Sequence, residues 1–167
     1  EIVPAPVPVA DLECSCKAII DGVEYEYVDT CSYDNEKTIN TTGDSRAIYT
    51  ALVENASMNQ GFEFEMRTLE WVDDGSSFPS IEEWKAYFQG SLSPAYYVND
   101  DYSPDGVTVK WTDPNGIVWS SDTVSACTFT DFEFTTMEHD SDQTGNYMKF
   151  KAVFNCPVMN PAGDTMC

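Results

Sequence analysis

Basic residues are scarce in this chain. Lysine and arginine total eight against 29 aspartates and glutamates, for a net charge of −21. The eight are scattered, so no basic stripe exists to neutralise phosphates, which argues against a nucleic-acid partner. The same imbalance opposes an anionic membrane surface, and no apolar run approaches the roughly 20 residues of a helical membrane span. Histidine occurs once, at His139, leaving Ser/His/Asp or Cys/His chemistry a single candidate base. That base falls in the stretch "MEHDSDQTG", which reads as a solvated hairpin loop running from Glu138 to Asn146. There is no phosphate-cradling glycine loop and no nucleophile elbow. Carboxylate pairs suited to glycoside hydrolysis are too numerous among 29 acids for any one pair to stand out. The chain is therefore expected not to be an enzyme. Leucine is rare too, with four in 167 residues, which disfavours a helical protein.

What is abundant is tyrosine, phenylalanine, tryptophan, valine and threonine, the residues that fit a pleated, half-buried surface. A chain of 167 residues suits one domain able to bury roughly 70% of its unfolded surface. Six cysteines are present without a CxxC pair, Cys14-Ser15-Cys16 being the closest spacing. With one histidine available, a thiolate zinc site is the weaker reading and disulfides made outside the cytoplasm the stronger. The chain opens on Glu1 rather than Met, and a signal peptide already removed is the corresponding expectation.

Strand signals recur along the chain. Asp21-Gly22 inside "CKAIIDGVEYEYV" predicts a type I′ hairpin with Ile20 facing Val23 and Ala18 facing Tyr25. In "GFEFEMRTLEW", Phe62, Phe64 and Met66 alternate with Glu63, Glu65 and Arg67, as in a strand buried on one face. One helix is expected in "SIEEWKAYFQG", where Ser80 and Glu83 form a capping box, Ile81, Trp84 and Phe88 recur at helical spacing, and Gly90 marks the stop. Further strands are predicted in "GVTVKW", "GIVWSS", "CTFTDFEF" and "YMKFKAVFNC", with a turn at Asp113-Pro114-Asn115-Gly116. About eight short strands and one helix without βα alternation imply an all-β fold, an antiparallel β-sandwich or jelly roll. Four tryptophans raise the possibility of a sugar-stacking platform, although Trp84, Trp111 and Trp119 fall on apolar positions that favour the core.

The last two predicted strands suggest a cross-link. With a turn near Ser141 and Asp142, Cys127 falls opposite Cys156 and Phe129 opposite Phe154, so Cys127–Cys156 is the expected disulfide. Its loop of about 30 residues would contribute on the order of 3–4 kcal/mol. Cys14, Cys16, Cys31 and Cys167 are left with partners undetermined, within one subunit or between two. The run from Asp140 through Asp142 and Thr144 to Gly145 has the opening of a calcium loop, although Lys151 stands where the closing acid would be. Asn40 and Asn55 begin glycosylation sequons in form.

The first 13 residues differ in character from the rest. Prolines stand at 4, 6 and 8, alternating with Val3, Ala5, Val7 and Val9. In an extended chain alternate residues share an edge and a face, so the edge of Pro4, Pro6 and Pro8 has no N–H donor and the edge of Val3, Ala5, Val7 and Val9 keeps all of its donors and acceptors. Such an arm zips onto one neighbour, presents an apolar row of Ile2, Val3, Ala5, Val7 and Val9, and cannot join the middle of its own sheet. The prolines also hold it extended beforehand, lowering the cost of ordering. A Pro-rich spacer is the plainer reading.

The arm-plus-sandwich plan resembles donor-strand pilins and related extracellular bacterial filament subunits. The segments "CKAIIDGVEYEY", "FPSIEEWKAYF", "DGVTVKWTDPNGIVWSSD" and "FKAVFNCPVMNPAGD" make the remainder similar to small secreted β-sandwich domains of Gram-negative surfaces. The resemblance implies a homopolymer at the bacterial cell surface, formed head to tail, with residues 1–13 as the assembly arm and 14–167 as one β-sandwich domain. The alternative is a monomeric surface module that binds a glycan, with calcium at Asp140 and Asp142.

Overall fold

The structure, a computed structural model, describes residues 14–28, 30–38, 44–55, 57–72, 79–89, 106–121, 131–142 and 145–166. Eleven strands and one helix are formed among them, more strands than the sequence signals count. Strands β1 (Cys16–Ile20) and β2 (Val23–Tyr27) make the expected hairpin, with Ile20 opposite Val23 and Ala18 opposite Tyr25. Asp21 and Gly22 have φ of 50° and 78°, the two positive angles that a type I′ turn needs.

The main sheet follows. Strands β3 (Thr30–Thr38), β4 (Asp44–Asn55), β5 (Gln60–Val72), β6 (Gly106–Thr112) and β7 (Val118–Ser120) pair in sequence as an antiparallel meander. Two short strands, β10 (Val158–Met159) and β11 (Thr165–Met166), extend it beyond β7 to seven strands. A second ribbon is formed by β8 (Asp131–Asp142) and β9 (Gly145–Asn155). Both ribbons lie on one face of the main sheet. The Tyr25 ring of β2 lies tilted 5.0 Å from Trp111, and Tyr27 meets Phe62 at 5.8 Å. From the other ribbon Phe154 reaches Phe62 and Phe64, and Phe132 reaches Phe64. The result is an antiparallel β-sandwich with unequal layers, a broad sheet covered by two narrow ribbons.

Register explains why that face is apolar. Cys31, Val53, Phe62, Trp111 and Trp119 occupy successive opposing positions across five strands. Ala51, Phe64 and Val109 form the next row, and Tyr49, Met66 and Val107 the one after. The intervening residues put Glu63, Glu65 and Lys110 on the other face, as the alternation in "GFEFEM" requires.

That alternation does not run the length of β5. Phe62, Phe64 and Met66 are in one phase, while the buried Leu69 and Trp71 are in the other. The register shifts between Ala47 and Tyr49, so that Arg67 and Thr68 together oppose Ile48. One extra residue in β5 returns Leu69 and Trp71 to the core face, which is what a β-bulge does. Strand β8 repeats the device. Phe132 and Phe134 give way to Met137 and His139 across a shift at Thr135, whose hydroxyl donates to the Lys151 carbonyl at 3.3 Å.

Helix α1 (Ile81–Gln89) starts at the expected capping box. Ser80 N–H donates to Glu83 Oε2 at 2.8 Å and Glu83 N–H to Ser80 Oγ at 3.1 Å. Trp84 and Phe88 are buried against Tyr49 of β4, while Ile81, expected on the same apolar face, is exposed in the first turn. Burial pushes the Tyr49 hydroxyl up to about 12, against a smaller lowering by its bond with the Trp84 indole.

Two turns of one design close the β6–β7 and β10–β11 hairpins. Asp113 Oδ1 accepts the N–H groups of Asn115 and Ile117, and Asn160 Oδ1 accepts those of Ala162 and Asp164. Gly116 and Gly163, at φ of 78° and 92°, take the left-handed position in each. Burial raises the Asp113 carboxyl, but bonds from Ile117, the Trp119 indole and Asn115 outweigh it and hold the group below its ordinary value. A depressed folded pKa contributes stability that is complete above the unfolded value and is lost as pH falls through the folded one. Replacing Asp113 with Ala is expected to cost about 1–3 kcal/mol at neutral pH. Replacing it with Asn, which Asn160 shows can hold such a turn, should cost less, and that cost should shrink toward pH 3. Urea denaturation of both variants across pH measures this; a pH-independent cost for the Asn variant would contradict it.

Three sequence expectations are corrected here. The stretch from Glu138 to Asn146 is not a loop, because β8 runs through Asp142 and β9 starts at Gly145, with Asp142 opposite Gly145. His139 is accordingly a half-buried strand residue, its ring 5.6 Å from Trp84 and its Nε2 3.2 Å from Asn146 Oδ1. Phe154 pairs with Phe132 rather than Phe129, because the turn falls later than Ser141-Asp142, a displacement that the bulge reduces by one residue.

Candidate functional site

The part of the assembly reading that the structure describes is the root of the arm. The arm itself, with Ile2, Val3, Ala5, Val7 and Val9, lies outside the described residues. Its root does not. Cys14, two residues before β1, forms a disulfide with Cys31 in the first turn of pairing of β3, with Cα atoms 5.9 Å apart. This answers the partner question for two of the cysteines. Cys16 begins β1 as a buried thiol whose pKa burial pushes up to about 12, so at neutral pH it is protonated and unreactive. Cys127 and Cys167 lie outside the described residues. Cys156 is half-buried against the core, and its expected pairing with Cys127 falls outside the described residues.

Strand β3 is one edge of the main sheet, and the other edge is β11, two residues long. Nine consecutive pairs, from Thr30–Glu54 to Thr38–Arg46, join β3 to β4. The disulfide therefore fastens the base of the arm to the long, well-paired edge of the larger layer. The ribbon carrying β1 crosses from there over Phe62 to Trp111, where the Trp111 indole donates to the Tyr27 hydroxyl at 3.3 Å.

The remaining sequence candidates are dispersed. Asp140 and Asp142 belong to β8, and Lys149 across the ribbon donates to Asp140 Oδ2 at 3.0 Å. An ammonium takes a place that a calcium loop would give to the metal, and strand pairing replaces the loop itself. Thr144 lies outside the described residues, and among those described no three His, Cys, Asp or Glu side chains cluster to hold a metal ion. Asn55 ends β4 with its Oδ1 accepting the Ser57 hydroxyl at 2.7 Å, while Asn40 lies outside the described residues. All four tryptophans are in the core, as their strand and helix positions suggested, so none offers a stacking face to a sugar.

One cluster escaped the sequence reading. Lys110 Nζ bonds Glu63 Oε1 at 2.7 Å and Glu65 Oε2 at 2.8 Å on the outer face of the main sheet. Burial lowers its pKa, but the two carboxylates outweigh that and raise it. The signal was present in the alternating "FEFE" and in the lone Lys of "GVTVKW"; the register that brings them together was not. Among the described residues no helix is long and apolar enough to cross a membrane. No protein-family model, curated protein or solved structure matches the chain.

Proposed function

We propose that this chain is the structural subunit of an extracellular filament, in which the N-terminal arm of each copy inserts as a strand into the β-sandwich of the next. The observation that carries the reading is the covalent root of the arm: Cys14 is tied to Cys31, so a strand seated in a neighbour is anchored to the main sheet of its own subunit. The alternating Val/Pro arm supports it from the sequence. Arm and acceptor are different surfaces, so the contact is heterologous and repeats head to tail. A disulfide also supports an oxidising, extracellular setting. The reading assigns no catalytic residue and no cofactor. A glycan-binding module gains nothing from the four tryptophans, which are all buried.

Subunits of charge −21 repel one another, and that repulsion is screened beyond about 8 Å at physiological salt. Negative-stain electron microscopy of the full chain should show filaments, more of them as salt or divalent cations are added. A chain lacking residues 1–11 should give dispersed particles throughout. Dispersed particles from the full chain under every condition would make the arm a spacer.

A further inference from the structure

Given that filament reading, we infer that the arm of one copy adds to the β3 edge of the next, as an eighth strand of its main sheet. Strand β3 has no partner on its outer side among the described residues, and every second residue of an edge strand turns its N–H and C=O outward. Residues 2–9 match the nine of Thr30–Thr38 closely in length. Their Val/Ala edge can satisfy that row, while the outward edge, with proline at 4, 6 and 8, keeps no donor except the Ile2 N–H at its end and so blocks growth after one strand. Residues 2–9 also carry no ionisable side chain, so this segment approaches another copy of a −21 chain at the least Coulomb cost. Open edges also exist on β8 and β9 among the described residues, but a strand added there enlarges a two-stranded ribbon, whereas at β3 it extends a seven-stranded sheet.

Geometry at the root favours exchange between copies. Cys14 sits beside Cys31, so an arm folding back antiparallel along its own β3 sets residue 13 against Ser32 and Val7 against Thr38. The described part of β3 ends there, so in that register Ile2–Pro6 have no place on it and the whole run 2–9 is accommodated on the β3 of another copy.

The test is photo-cross-linking in assembled filaments. Full-length chain carrying Val7→p-benzoylphenylalanine is prepared with and without ¹⁵N, mixed, assembled, irradiated, reduced, digested with trypsin and read by mass spectrometry. Cross-links should join the arm to the peptide of residues 18–37, with mixed-label pairs as frequent as the two same-label kinds together. Same-label pairs alone would place the arm on its own chain and overturn the exchange. Cross-links to residues 131–155 would overturn β3 as acceptor and leave the filament reading standing. Should bulk at Val7 block assembly, Ala10→p-benzoylphenylalanine, just beyond the run, makes the same measurement with the same outcomes. Failure of the filament reading shows separately, as an unmodified chain that forms no filaments.

Discussion

Replacing Phe62 with alanine is expected to lower stability by about 3–5 kcal/mol, a large part of what a domain typically possesses. The ring is 2% exposed and sits where both layers meet. It touches Tyr27 of the first ribbon, Phe154 of the second, and Phe64 and Trp111 of its own sheet. Truncation therefore removes apolar contact and also opens a cavity bordered by all three sheets, which cannot collapse without moving one of them. Urea denaturation followed by the fluorescence of the buried tryptophans measures the loss as a fall in midpoint. Ile19→Ala is the control, because Ile19 is 72% exposed and its loss should fall within about 0.5 kcal/mol. A Phe62 variant no less stable than that control would mean that the ribbons do not depend on this junction.

Removing the Cys14–Cys31 bond by a double replacement with serine is expected to cost about 3 kcal/mol in the chain-entropy account, given a sequence separation of 17. The bond constrains the unfolded chain, but in the folded state it has a local task as well. It holds the start of β1 beside β3, while the other end of that hairpin is a free turn at Asp21-Gly22. Without it, the exposed peptide after Lys17 should be cut by trypsin much faster than global unfolding allows, because the ribbon end frays. Equal cutting rates in the two proteins, at equal urea midpoints, would show that packing under Cys16 and Tyr27 suffices on its own.

How much of this was legible beforehand follows from the range of each signal. The Asp21-Gly22 hairpin and the Ser80–Glu83 capping box depend on residues within a few positions, and both formed as their chemistry requires. The face of β5 was readable up to Met66 for the same reason. Beyond it, Leu69 and Trp71 change phase, and that slip was itself the mark of a bulge, since the only way to keep both inside is one extra residue. In the second ribbon the later turn between Asp142 and Gly145 displaced the facing residues of β8 and β9, and the bulge at Thr135-Thr136 took back one step. An acidic, serine-bearing segment reads as a turn on composition, and only the length of the opposing β9 reveals that it is paired. The Cys14–Cys31 pair was not legible at all, because it depends on a ribbon crossing the sheet to bring position 14 beside position 31.

The disulfide at the arm root also decides how the subunit would bear tension. A pull on the arm enters the domain at Cys31 and bypasses β1 and β2, which therefore need not resist it. The load arrives at one end of β3, where nine successive pairs hold that strand to β4. Directed along the strand, it shears all of those pairs together; directed across it, it opens them one at a time. Resistance to forced opening is a rate, set by the barrier to the first irreversible step. A filament of such subunits would be stiff along one axis of the sheet and weak across it.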